Sequence, residues 1–274
     1  MLGLVLVSFL LLVVWRTQKV SQPVPINPVG SSQEGVSRYK LASLTVIADV
    51  HGDWQNLKAA AQIINKNKFD LVIFLGDLTS TGILSDLQAG KLVLDQTTKP
   101  LLVMPGNHDV WHAREEGREH NFYFNQVFSL PPTCYPQKGY TLAFIDNSDE
   151  NEPINDSIWQ EIRNCLENNG NLFLLMHESL YHPVNDRVMG LYDAPLATQA
   201  AKLRDLACDH RAKLVLAAHL HSFAKYFYDC PNGYRLPMVV SGALTGDRNF
   251  QPPRFLELSI FENGGFEEKE EILK

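Results

Sequence analysis

Apolar residues in this chain gather into short runs that stop abruptly at polar clusters, and the runs recur at the spacing of alternating strands and helices. Leu44–Ala48, Leu71–Leu75, Leu101–Met104, Tyr140–Ile145, Leu172–Met176 and Leu214–Ala218 are near-continuous apolar stretches, the pattern of strands buried on both faces. Between them, helical periodicity predicts helices over Trp54–Asn67 with Asp53 as N-cap, Ser85–Gln96, Ile154–Leu166 ending at Asn169-Gly170, and Leu196–Asp209. Trp111–Asn121 has no apolar period and predicts a loop, followed by a short helix to Phe128. Glu178–Ala194 reads as a long irregular loop on the substrate side. Beyond Ala218 the grammar changes to alternation over Phe223–Tyr228, a turn at Pro231-Asn232-Gly233, and apolar runs at Met238–Val240 and Phe255–Phe261, which predict antiparallel strands.

The polar clusters carry the chemistry. In Leu101–Trp111, four apolar residues are broken by Pro105-Gly106 and followed at once by Asn107, His108 and Asp109. In open α/β sheets the ligand crevice lies beyond the carboxyl ends of the strands, so such a cluster is placed for function. The same grammar delivers Asp49 and His51, Asp77, His177, and His219 and His221 at other strand ends. One histidine on an apolar face is ordinarily a satisfied core residue. Five of the nine histidines at one edge of the predicted sheet are not explained that way. Imidazole and carboxylate together suit zinc, manganese, iron or cobalt. Two carboxylates against two divalent ions leave a net charge of about +2, which suits a phosphate. Two ions about 3.5–4 Å apart hold a hydroxide and clamp the attacking and leaving oxygens of an in-line displacement.

The ordered motifs DVHGD, GDLTS, GNHD, MHES and AHLH resemble those of the calcineurin-like metallophosphoesterase superfamily over Leu44–His221. The resemblance implies an α/β fold, two packed mixed β-sheets flanked by α-helices in a four-layer α-β-β-α sandwich. It implies a binuclear centre in which Asp49, His51, Asp77 and His221 hold one divalent metal ion and Asp77 bridges to a second held by Asn107, His177 and His219. His108 would serve as general acid or phosphate stabiliser, and Asp109 is placed in sequence to orient it. The implied activity is hydrolysis of a small phosphate ester, mono- or diester, by a metal-bound hydroxide. The alternative is a non-catalytic binding or scaffold module that kept the fold. Two departures stand out. Ala218 replaces the glycine that usually precedes the last His-x-His pair, and Ser80 stands where purple acid phosphatases carry a tyrosine, so a tyrosinate-bound ferric ion is not expected.

The remaining features set bounds. At 274 residues and 45% hydrophobic content the chain has enough apolar material for one large domain, expected over 41–274. A net charge of -7 without basic blocks argues against a nucleic-acid partner, and nothing in the pattern specifies an oligomeric state. His112, Arg114, Arg118 and Arg187 flank the motifs and are candidate substrate-selecting residues. Cys165 and Cys208 sit at apolar positions of helical patterns and read as core thiols, while Cys134 and Cys230 lie in proline-containing loops where a disulfide could form. The first fifteen residues are almost wholly apolar, so residues 1–17 are expected to form a helical membrane anchor and 18–40 a polar tether. Arg16 and Lys19 favour a cytoplasmic domain, whereas the Gln-, Ser- and Pro-rich tether favours an extracytoplasmic one, and the balance leans to export. A chain starting near Val36 should therefore be soluble and active while the full chain sediments with membranes. Loss of the fold on truncation would show that the segment packs on the domain.

Overall fold

The strand Leu71–Leu75 sets out the layering in five residues. Leu71, Ile73 and Leu75 belong to the core between two sheets, whereas Val72 and Phe74 belong to a second core beneath helices. A strand buried on both faces needs apolar side chains at every position, and this one has them. Leu172–Met176 does the same on the other sheet, with Phe173 and Leu175 between the sheets and Leu172, Leu174 and Met176 toward helices. The result is the four-layer arrangement implied by the resemblance.

The computed structural model describes residues 39–274. In chain order the elements are β1 (Lys40–Ile47), α1 (Trp54–Lys66), β2 (Leu71–Leu75), α2 (Leu84–Leu94), β3 (Leu101–Met104), α3 (Asn107–Glu115), a 3-10 turn (Phe124–Gln126), β4 (Cys134–Gln137), β5 (Tyr140–Ile145), α4 (Asp156–Asn168), β6 (Leu172–Met176), α5 (Ala194–Asp209), β7 (Leu214–Ala217), β8 (Phe223–Asp229), β9 (Arg235–Ser241), β10 (Arg254–Phe261) and β11 (Phe266–Ile272). One sheet runs β11-β10-β1-β2-β3 and the other β4-β5-β6-β7-β9-β8. The central strands β1-β2-β3 and β5-β6-β7-β9 are parallel, and the outer strands are antiparallel, so both sheets are mixed. Parallel strands put all their carboxyl ends on one side, which is what brings the polar clusters together. The anchor expected over 1–17, and all but the end of the tether expected over 18–40, lie outside the described residues. Among the described residues no helix is long and apolar enough to cross a membrane.

Several elements depart from the sequence expectation, among them β4, which opens at Cys134 where a loop is expected. The predicted loop after Trp111 is largely helix α3, which begins at Asn107. Its buried positions are Asn107, Asp109, Val110 and Ala113, and with half of them polar no apolar period is visible. The Asp109 carboxylate accepts the Gly106 N–H at 3.1 Å, closing the first turn from position N3. The short helix predicted up to Phe128 is a single 3-10 turn. Strand β11 reads FEEKEEI, and its charges are those of a sheet edge protected against pairing with another chain. It is tied inward by Lys225 to Glu268 and Arg254 to Glu270 ion pairs.

The cysteine expectation is corrected. Cys165 and Cys208 are not free core thiols, and Cys134 is not bonded to Cys230. Cys134 pairs with Cys165 and Cys208 with Cys230, with Cα separations of 5.4 and 5.8 Å. Each bridge ties a helix of the outer layer, α4 or α5, to an edge region of the six-stranded sheet, so each helical cysteine faces a loop or edge partner. All four cysteines are used. Denatured but unreduced protein should thus show no reactive thiol, and reduction should cost roughly 2–4 kcal/mol per bridge, read as a lowered thermal midpoint. Thiols that titrate without reductant would refute the pairing.

Candidate metal centre

The backbone at the strand ends is unusual before any side chain is considered. Among the described residues eight non-glycine residues have φ in the left-handed region, and five of them are Asp49 (52°), His51 (48°), Asp77 (59°), His219 (68°) and His221 (51°). Each such residue costs on the order of 1–2 kcal/mol for an L side chain, and such strain gathers where surrounding structure holds it for a purpose. Here the hold is visible. The Asp77 carbonyl accepts the N–H groups of Val50 (2.7 Å) and His51 (2.9 Å), and the Gly76 carbonyl accepts that of Asp49 (3.0 Å). The Asp49 carboxylate accepts the His219 N–H at 3.2 Å, a bond from one sheet to the other. Gly76 itself has φ +96°, and a Cβ there would lie 2.5 Å from the Gly106 nitrogen and 2.7 Å from His177 Nδ1, so the GD pair has room only for glycine.

The side chains converge in two groups that share Asp77: Asp49, His51, Asp77 and His221, and Asp77, His177 and His219. In the first, His51 Nε2 is 2.9 Å from His221 Nε2 and 3.4 Å from Asp77 Oδ2, and His221 Nε2 is 3.8 Å from Asp49 Oδ1. In the second, Asn107 Oδ1 is 3.1 Å from both His177 Nε2 and His219 Nδ1, which are 3.3 Å apart, and His177 Nε2 is 3.4 Å from Asp77 Oδ2. Donors about 2.1 Å from one ion lie roughly 3.0–3.4 Å from each other, so most of these spacings are those of ligand atoms around a common centre. The tautomers agree. His177 Nδ1 donates to the Leu75 carbonyl at 2.7 Å and His221 Nδ1 to that of Arg248 at 3.1 Å, which leaves the Nε2 of each aimed into the site. The donor set fits two divalent ions.

Charge is balanced within the cluster. Burial works to raise Asp77, but the His177 charge beside it overrides this and holds Asp77 far below the usual carboxylate range. Burial works to lower His177, yet Asp77 and then Asp49 lift it to about 10. Burial, with smaller help from the Asp77 charge, pushes Asp49 well up. Burial also lowers His51 to about 4, His219 to about 3, and His221 below its ordinary value, so these three imidazoles are neutral, the form that binds metal.

His108 stands beside the cluster. Its backbone N–H donates to Asp77 Oδ1 at 2.9 Å, and its ring packs edge-on against His51 (4.7 Å between centroids) and Trp111 (5.4 Å). Its Nδ1 donates to the Ser80 carbonyl at 2.7 Å, which leaves Nε2 facing a cleft of about 670 Å³. The expectation that Asp109 orients His108 therefore gives way. The fully buried Asp109 carboxylate instead accepts from Leu78 N, Thr79 N, Thr79 Oγ1 and Gly106 N at 2.8–3.1 Å, and so holds the loop after β2 to the start of α3. Burial, then the Asp77 charge, lifts it to about 6.

Of the candidate substrate residues, Arg187 lines the cleft. Arg114 faces Asp149 at 3.7 Å, Arg118 pairs with Glu116 at 2.9 Å and lies over the Phe122 ring, and His112 stacks on Tyr123, so these three are engaged elsewhere. Sequence reasoning missed Glu150, Arg248 and Phe250, which also line the cleft, and Glu178, whose buried carboxyl is raised by desolvation to about 8. Arg248 and Phe250 follow no apolar run that ends in a ligand-type residue. Only the positive φ of Arg248 (55°) marks that segment, and φ is not legible in sequence.

The sequence profile of the calcineurin-like phosphoesterase family matches residues 42–223, and the chain belongs to that family. Sequence comparison with curated proteins finds no significant match. Among solved structures, the fold is similar to that of the purple acid phosphatase PPD1 from yellow lupin seeds (TM-score 0.59, 15% identity, covering 88% of this chain and 53% of that one). It is similar also to GAP50, described as the anchor in the inner membrane complex of Plasmodium (0.56, 13%, 85% and 89%), and to a dimetal phosphatase from Danio rerio (0.52, 12%, 86% and 100%). At these identities the likeness is one of fold. If both groups of donors are occupied, elemental analysis after reconstitution should approach two ions per chain. Asp77→Asn should lose more metal than His177→Ala or His221→Ala, because only Asp77 belongs to both groups. Equal losses would deny it the bridging place.

Proposed function

We propose that the chain hydrolyses a small phosphate ester at a two-ion centre held by Asp49, His51, Asp77, Asn107, His177, His219 and His221. The observation that carries this reading is the pair of donor groups sharing Asp77 with the free nitrogen of His108 beside them. Divalent ions bound there would supply positive charge for the phosphoryl oxygens and lower the pKa of an attacking water. The rest is the work of the chain. The Ser80 carbonyl keeps the His108 hydrogen on Nδ1, so the proton that serves the reaction is the one carried on Nε2, toward the cleft. As water oxygen bonds to phosphorus and the ester P–O bond breaks, that Nε2 proton passes to the leaving alcohol oxygen, and the proton lost by water restores the imidazolium through solvent. Arg187, close enough to lower His219 through its charge, supplies a fixed positive group for the remaining phosphoryl oxygens.

A scaffold that kept only the fold has less support, since a chain free of catalytic demand has no reason to maintain five strained donors and a singly tethered His108. The two disulfides favour an oxidising compartment, which strengthens the proposal that residues 1–17 anchor an exported domain.

Positioned proton transfer contributes about 10²–10⁴ in rate, so His108→Ala should lower kcat by that order for an alkyl phosphate while metal content stays near wild type. The loss should shrink for p-nitrophenyl phosphate, whose leaving group needs less protonation. Equal losses for good and poor leaving groups, or loss of an ion, would overturn the assignment. Parallel assays on p-nitrophenyl phosphate and its bis-ester separate monoesterase from diesterase.

A further inference from the structure

Five aromatic side chains are notably exposed among the described residues, and three of them, Trp111 (38%), Tyr192 (93%) and Phe250 (84%), line the cleft that holds His108. They come from three separate segments, namely α3, the loop before α5 and the loop before β10, so their meeting is a product of the fold. Exposed aromatic rings gathered at one mouth, rather than scattered, mark a binding surface. Trp111 is the best placed. It lies one helical turn beyond His108, 5.4 Å from it between centroids, and its indole N–H is held by Glu115 Oε1 at 2.8 Å, which fixes the ring. Arg187 and Arg248 line the same cleft, and among the described residues neither guanidinium has a hydrogen-bond or ion-pair partner. Two arginines and three aromatic rings, with Glu150 among them, thus border a space of about 670 Å³, wider than a phosphate alone would need.

We infer that the cleft selects phosphate esters whose alcohol carries a flat aromatic ring, and that Trp111 is the platform on which that ring stacks. This rests on the phosphoesterase reading and adds the substrate class to it. The geometry follows from the chemistry at His108. A group that protonates the leaving oxygen has the alcohol beside it, and of the three exposed aromatic rings at the mouth Trp111 is the one packed against His108. The arginines take the phosphoryl end, while Tyr192 and Phe250 shield the outer face. Ring-on-ring stacking tolerates different rings, so a nucleoside and a simple aryl alcohol share the required chemistry.

Adenosine 5′-monophosphate and ribose 5-phosphate share the same ester oxygen and differ in the ring, so their comparison removes leaving-group effects. The manganese-loaded full chain should prefer the nucleotide roughly 10- to 100-fold in kcat/KM. Trp111→Phe should keep that preference and Trp111→Leu should reduce it to within about threefold of unity. Quenching of tryptophan emission by the nucleotide but not by ribose 5-phosphate, lost in Trp111→Leu, reads the same recognition without turnover. Phenyl phosphate against methyl phosphate, compared by the same binding signal, distinguishes an aryl source from a nucleoside one. Failure to hydrolyse p-nitrophenyl phosphate would sink the phosphoesterase reading while the binding signal still decides ring recognition. A nucleotide preference near unity, absence of quenching, or an equal fall on both sugar phosphates in Trp111→Leu would overturn the inference.

Discussion

The buried carboxylate of Asp77 is the constraint on which the rest depends. It has no solvent to disperse its charge, so its neighbours must do so, and each neighbour arrives from a different part of the chain. One oxygen accepts the His108 N–H at the head of α3, and the other meets His51 after β1 and His177 after β6. Its own backbone carbonyl ties down the turn after β1. To satisfy one charge in this way, two sheets must present their carboxyl edges to each other in fixed register. The glycines that flank it are part of that requirement, since a Cβ on Gly106 would stand 2.2 Å from Asp77 Oδ1.

The same demand explains which parts of the molecule were legible in the sequence. Strands buried on both faces have no freedom in composition, and Leu71–Leu75, Tyr140–Ile145 and Leu172–Met176 have the limits their apolar runs suggested. Residues that end such strands are legible too, because Asp, Asn and His after an apolar run are conspicuous, and the fold brings them together at one edge. Helix α3 was not, since its inner face is built from Asn107 and Asp109 and serves the site rather than the core. The role of Asp109 was misjudged for a related reason. Adjacency to His108 in sequence says nothing of direction on a helix, where neighbouring side chains point about 100° apart. Cysteine pairing depends on which helix lies over which edge, and that is known only once strand order is known. The outer charged strand β11 hid because solubility at an edge needs the residues that ordinarily mark loops.

The cleft shows the complementary case. Donor positions sit on strand ends and are set by the sheets, whereas the groups that would meet a substrate come from loops, as expected where a rigid frame carries variable recognition. Arg187 and Tyr192 lie in the long loop that the sequence already places on the substrate side, whereas Arg248 and Phe250 belong to a segment without a period, so nothing in the pattern distinguishes those two from solvated surface.

The two disulfides both fasten the outer helices of the six-stranded sheet, and the five-stranded sheet has none. Cohesion between the sheets at the functional edge is therefore left to a few polar bonds, such as His177 to Leu75 and His219 to Asp49, and to whatever the facing donors bind. An ion taken up there is a removable clasp between the two halves of the sandwich. By mass action its grip grows with the free concentration of the metal, so the mechanical integrity of the molecule becomes a readout of the ion supply around it.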